Sequence, residues 1–148
     1  MFDGVENSRW ASRPTFPNAG GGLVSTASDY LRFARMLLAG GVHEGARLLP
    51  EELVKTMTTD QLGPERAHSK SADIFLSGGG WGYGLEVITP AHTADVRTRR
   101  YGWGGGLGTT WYAFPDRDTT AVLLTQCLPP PEPLISAFWS ALHQMIDA

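Results

Sequence analysis

Cysteine occurs once in 148 residues, as Cys127, which excludes an internal disulfide and a paired-thiol metal or redox centre. Lysine is nearly as scarce: Lys55 and Lys70 stand against ten arginines. The formal net charge is −3 with no run of like charges, so the chain carries neither a nucleic-acid footprint nor a polybasic membrane patch. No window approaches the ~18 apolar residues needed to cross a bilayer. The opening MFDGVENSRW lacks the basic-then-apolar order of a signal peptide, and nothing in the sequence assigns a compartment.

Whole classes of chemistry lack their residues. His43, His68, His92 and His143 fall in no HExxH or other ligand spacing, so neither a metal nor a cofactor is expected. There is no GxxxxGK[ST] and no GxSxG elbow. Gly102, Gly104 and Gly105 precede a strand instead of joining strand to helix, which a dinucleotide fingerprint requires.

Apolar residues make up 42% of the chain and aromatics 10%, enough for a core in one domain of ordinary size. Residues 1–22, with Pro14, Pro17 and Gly20 to Gly22, show no periodicity and read as an irregular lead-in that needs a surface to lie on. Thr26 followed by Asp29 predicts a cap for a helix over Ala27–Ala39, with Tyr30, Phe33, Ala34, Leu37 and Leu38 on its apolar face. Gly40 and Gly41 supply its left-handed exit. Pro50, Glu51 and Glu52 predict a second helix to about Thr58, the two carboxylates being solvated charges at its start. Residues 59–79 read as a long polar connection, Trp81–Ile88 as one strand interrupted by Gly82 and Gly84, and Pro90–Arg97 as a turn.

Thr109–Phe114 and Thr119–Thr125 are rich in β-branched and aromatic residues around Pro115-Asp116-Arg117-Asp118, predicting an antiparallel hairpin. Trp111 and Ala113 would take one face, Tyr112 and Phe114 the other. From Pro133 onward, Leu134, Ile135, Phe138, Leu142, Met145 and Ile146 form a stripe that would cover one sheet face, with Ser136, Ser140, His143 and Gln144 off it.

Immediately before the hairpin lies Tyr101–Thr109, YGWGGGLGT, with five glycines in nine residues. Such a segment lets backbone N–H groups approach a ligand closely. By itself, on local composition, the run reads first as a packing device for strands and rings.

The succession GGGLVSTASDYLRFARMLLAGG, RLLPEEL, GWGYGLEV and YGWGGGLGTTWYAFPDRDTTAVLLTQ, closed by an amphipathic helix, strongly resembles the C-terminal part of the β-lactamase-like serine hydrolases. That superfamily takes in class C β-lactamases, penicillin-binding peptidases, D-aminopeptidases and family VIII carboxylesterases. The resemblance runs from about Gly20 to Met145. It implies an α+β fold, an antiparallel sheet flanked by helices. Residues 1–148 would form one incomplete domain: lead-in 1–22, two helices within 23–60, antiparallel strands over 80–126 and a helix over 132–147.

The family carries a Lys-Thr-Gly triplet, or a Trp-Gly-Gly variant, on a strand beside its site, and Trp103-Gly104-Gly105 matches the variant. By that resemblance the N–H of Gly106 is an oxyanion donor, while Tyr101, Trp103, Gly104 and Gly105 border a small ester or amide substrate. Trp103 takes the lysine's place, and a neutral indole cannot anchor a carboxylate, which shifts the expected chemistry from β-lactams and peptides toward esters. Lys55 and Lys70 read as surface residues in a helix and a polar loop. The family's nucleophile motif, Ser-x-x-Lys, is absent, and no tyrosine is followed two residues on by asparagine. Two readings follow. In one, the chain is a hydrolase's C-terminal segment, inactive alone, which meets the nucleophile-bearing N-terminal segment, or a second copy of itself, through exposed apolar surface. In the other, it is a non-catalytic binding or assembly module.

Overall fold

The computed structural model describes residues 3–63, 70–76, 78–93 and 98–147. Helix α1, Ala27–Leu38, starts where Thr26 Oγ1 accepts the Asp29 N–H at 3.1 Å and donates to the Asp29 carboxylate at 2.9 Å. This reciprocal cap satisfies a donor that the first turn would otherwise leave unpaired. Asp29 also holds Arg32 at 2.7 Å on the solvent side. The helix ends one residue before the expected limit, with Gly40 at φ 62° and Gly41 at φ 93°. Its buried residues are Ala34, Met36 and Leu37. Met36 lies outside the predicted stripe, because α1 packs a second flank against the following short hairpin.

That hairpin, β1 (Val42–His43) with β2 (Ala46–Arg47), has no counterpart in the sequence expectation. Its two-residue turn has Glu44 at φ 49° and Gly45 at φ 81°, the paired positive angles that suit a tight hairpin. Helix α2, Glu51–Met57, follows, with Glu51 and Glu52 exposed at its start. Lys70–Phe75 forms a short helix α3, where a polar loop had been expected. His68 and Ser69 lie outside the described residues, as do 94–97 of the expected turn.

The main sheet is antiparallel throughout, in the order β3 (Gly80–Trp81), β4 (Glu86–Ile88), β5 (Arg100–Gly104), β6 (Thr110–Phe114), β7 (Thr119–Leu123). The expected single strand over Trp81–Ile88 is instead the β3–β4 hairpin. Gly84 sits at φ 79° in its bend, and Gly82 N–H donates to the Leu85 carbonyl at 2.8 Å. The two glycines turn the chain back instead of merely weakening a strand.

Between β6 and β7, Pro115–Arg117 makes a 3-10 turn with Asp118 left-handed at φ 44°. Trp111 and Ala113 bury against α1 together with Val87 and Tyr101. Tyr30 and Phe33 set their rings edge-on to Trp111 at 5.6 and 6.0 Å. On the other face Trp139 and His143 of helix α4 (Glu132–Ile146) stand 5.2 Å from the Tyr112 ring and 5.4 Å from the Phe114 ring. The predicted stripe is therefore rotated: His143 packs inward, while Leu134 and Met145 remain 52% and 76% exposed. One sheet face is narrower than the apolar arc of this helix. The lead-in is irregular, and Val5, Phe16, Leu23 and Val24 are exposed.

Candidate functional site

Strand β5 delivers the glycine run to one end of the sheet. Trp103 pairs with Trp111 and Gly104 with Thr110, after which the ladder closes through Gly105 N–H to the Thr109 carbonyl at 2.7 Å. Gly108 N–H then donates to the Gly105 carbonyl at 2.9 Å, so Gly105–Gly108 is a tight turn. Gly108 is left-handed at φ 80° and sits against Thr125 and Pro131, where a Cβ would collide. In such a turn the second residue's N–H is not used by the turn itself. Among the described residues the Gly106 N–H donates to no group, Gly106 is exposed, and no atom lies within 4 Å of where its Cβ would be.

The other sequence-selected residues separate into two kinds. Gly104 is half-buried and Gly105 exposed beside Gly106. Trp103 is half-buried and meets Trp81 edge-to-face, ring centroids 4.7 Å apart and planes at 90°. Tyr101 is different: it is 5% exposed, its ring 6.1 Å from Trp111 in the α1-side core. Burial raises its phenol well above the usual range. Its side chain packs the core, and only its backbone borders the glycine edge.

Behind the edge, on the α4 side, Glu86 is 5% exposed and accepts a 2.8 Å hydrogen bond from the Tyr112 hydroxyl. Arg100 stands 3.7 Å from the same carboxylate and 4.7 Å over the Tyr112 ring. Burial first, then the Glu86 charge, push the Tyr112 phenol up to about 12. Gly102 lies between Glu86 and Tyr112 in register, and a Cβ there would strike the Trp111 carbonyl and the Tyr112 ring.

A second cluster escaped the sequence reading. Asp60, just past α2, accepts the N–H of Trp81 and of Leu62 through Oδ1, each at 3.0 Å. Its Oδ2 faces His92 Nε2 at 3.4 Å. The 31 residues between Asp60 and His92 carry no motif that could have announced the pair.

A family model described as Beta-lactamase matches residues 2–145. The chain belongs to the Beta-lactamase family. The uncharacterized protein MT1414 of Mycobacterium tuberculosis (strain CDC 1551 / Oshkosh) is 43% identical over 122 residues, covering 78% of this chain and 30% of that protein. Protein Rv1367c of Mycobacterium tuberculosis (strain ATCC 25618 / H37Rv) matches with the same identity and coverage. The chain thus spans about a third of the length of these relatives. Its α+β architecture, antiparallel sheet with helices on both faces, agrees with the fold implied by the sequence resemblance.

Proposed function

We propose that the chain supplies the oxyanion edge of a serine hydrolase that forms and hydrolyses an acyl-enzyme from an ester, a β-lactam or a D-amino-acid amide. The observation that carries this reading is the unspent, exposed N–H of Gly106 at the end of β5. An N–H fixed by a tight turn and already stripped of protein partners loses little in reorganisation when an oxyanion forms against it. The half-buried indole of Trp103 beside it offers an apolar wall and no cation, which favours uncharged esters over carboxylate-bearing β-lactams.

The chain contains no Ser-x-x-Lys, so in this reading the attacking serine and its proton acceptor come from another segment, and the chain alone is inactive. An oxyanion donor without an activated nucleophile retains only a residue of the full rate.

The test uses two proteins, this chain alone and a full-length relative. The expected outcome is fluorophosphonate labelling and short-chain ester turnover in the relative only. At the position aligned with Gly106, Gly→Pro removes the N–H and should lower kcat by about 10²–10³, while Gly→Ala keeps it and should stay near the parent rate. Equal activity of the two variants, or stoichiometric labelling of this chain alone, would refute the assignment.

A further inference from the structure

The Asp60 carboxylate sits where three segments meet. Through Oδ1 it holds the backbone of β3 at Trp81, and through the Leu62 N–H it fixes its own loop. The Gln61 N–H adds a 2.9 Å bond to the Trp81 carbonyl. Through Oδ2 it faces His92, from the turn after β4. His92 Nδ1 lies 3.1 Å from the Thr89 N–H and 3.0 Å from the Thr89 hydroxyl. A backbone N–H can only donate, so the Nδ1 lone pair faces Thr89 and the ring hydrogen belongs on Nε2, pointing at Asp60.

The site is built to close tolerance. A Cβ on Gly80 would collide with the Asp60 carboxylate, and one on Gly82 with the Met57 carbonyl. Tyr83 N–H donates to that same Met57 carbonyl at 3.1 Å. The β3–β4 hairpin is thus clamped from the α2 side and from the turn after β4, and its product is the placement of one side chain, Trp81, against Trp103.

We propose that Trp81 and Trp103 form the wall that receives the uncharged aromatic group of an ester substrate, and that Asp60 and His92 are positioning residues for that wall. Two indoles at right angles, both half-buried, present a π-face and an adjacent ring edge, the pairing that a third aromatic ring completes by stacking on one and meeting the edge of the other. Neither indole carries a formal charge, so the wall gives a carboxylate no counter-ion. Tyr83 is 60% exposed in the bend of the same hairpin. The inference deepens the oxyanion reading by naming the substrate class, and it rests on that reading only for the word substrate.

The test uses the whole chain, with methyl 2-naphthoate as probe and 2-naphthoate as its charged control. Two indoles this close produce an exciton couplet in the far-ultraviolet circular dichroism, and Trp81→Phe should abolish it. Naphthoate ester should shift the indole N–H resonances of Trp81 and Trp103, and the free acid should bind about tenfold more weakly or worse. Asp60→Ala should remove the couplet and weaken the ester by about tenfold, at temperatures well below its own melting point. Asp60→Asn keeps an oxygen acceptor for the Trp81 N–H and should restore the couplet.

A couplet and ester affinity unchanged in folded Asp60→Ala would overturn the positioning role, even if its Tm falls. Ester binding that leaves both indole signals unmoved would overturn the wall. Failure of the Gly106 variants to differ in turnover would remove the oxyanion assignment and leave these signals untouched.

Discussion

The chemistry of Tyr112 is set by its surroundings. Its hydroxyl is the hydrogen-bond donor to a carboxylate almost wholly withdrawn from water, and Arg100 lies over its ring. Removing the hydroxyl in Tyr112→Phe leaves Glu86 short of a donor and should cost about 1–2 kcal/mol at neutral pH, read by chemical denaturation. The alkaline limb gives an independent check. The phenol titrates near 10 when unfolded and is pushed up to about 12 when folded. Its stabilisation is therefore whole below pH ~10 and is lost as pH rises through the folded value, a fall of roughly 2–3 kcal/mol. Tyr112→Phe should flatten that part of the stability curve; an unchanged slope in the variant would assign the loss to other groups.

At the scale of elements, local chemistry was legible wherever a neighbour in sequence did the work. The Thr26–Asp29 cap, the Gly40–Gly41 exit and the hairpin around Pro115–Asp118 all reside within a few residues of one another, and the structure places them close to where they were expected. What escaped was set by contacts distant in the chain. The fold-back at Gly82 depends on the Met57 carbonyl, and the Asp60–His92 contact joins two separate turns. Helix α4 faces the sheet through Trp139 and His143 because Phe114 and Tyr112 await them, which no periodicity within the helix could reveal. Its last turn is tied to the hairpin by Arg117, which reaches Asp147 at 2.7 Å and the Ile146 carbonyl at 3.2 Å. A cation there also opposes the negative end of the helix. Arg117→Ala should therefore cost about 1 kcal/mol and raise amide exchange over residues 143–146 while the β5–β6 amides hold. Uniform loss of protection across the sheet would mean that Arg117 supports the whole fold and not one helix end.

For the molecule as a whole, the distribution of apolar surface decides how the chain behaves alone. The α1 side of the sheet is closed by Ala34, Leu37, Trp111 and Ala113, whereas α4 contributes no fully buried residue. Leu134, Ala137, Ala141 and Met145, spaced three or four apart, are exposed on its outer side. Strand β7 pairs only with β6 among the described residues, leaving backbone donors and acceptors along its other edge. A strand edge without a pairing partner and an exposed apolar helix face are each surfaces that associate. In the proposed enzyme the remaining segment would cover it; in the isolated chain a second copy is the nearest substitute. Sedimentation of the pure chain should accordingly show concentration-dependent self-association, and Leu134→Lys with Met145→Lys should shift it toward monomer without lowering the unfolding free energy by more than about 1 kcal/mol, because both side chains already face solvent. If the double variant associates as strongly as the parent, the contact runs through the β7 edge, and a lysine at Ala121 or a proline at Val122 would be the change that separates the copies.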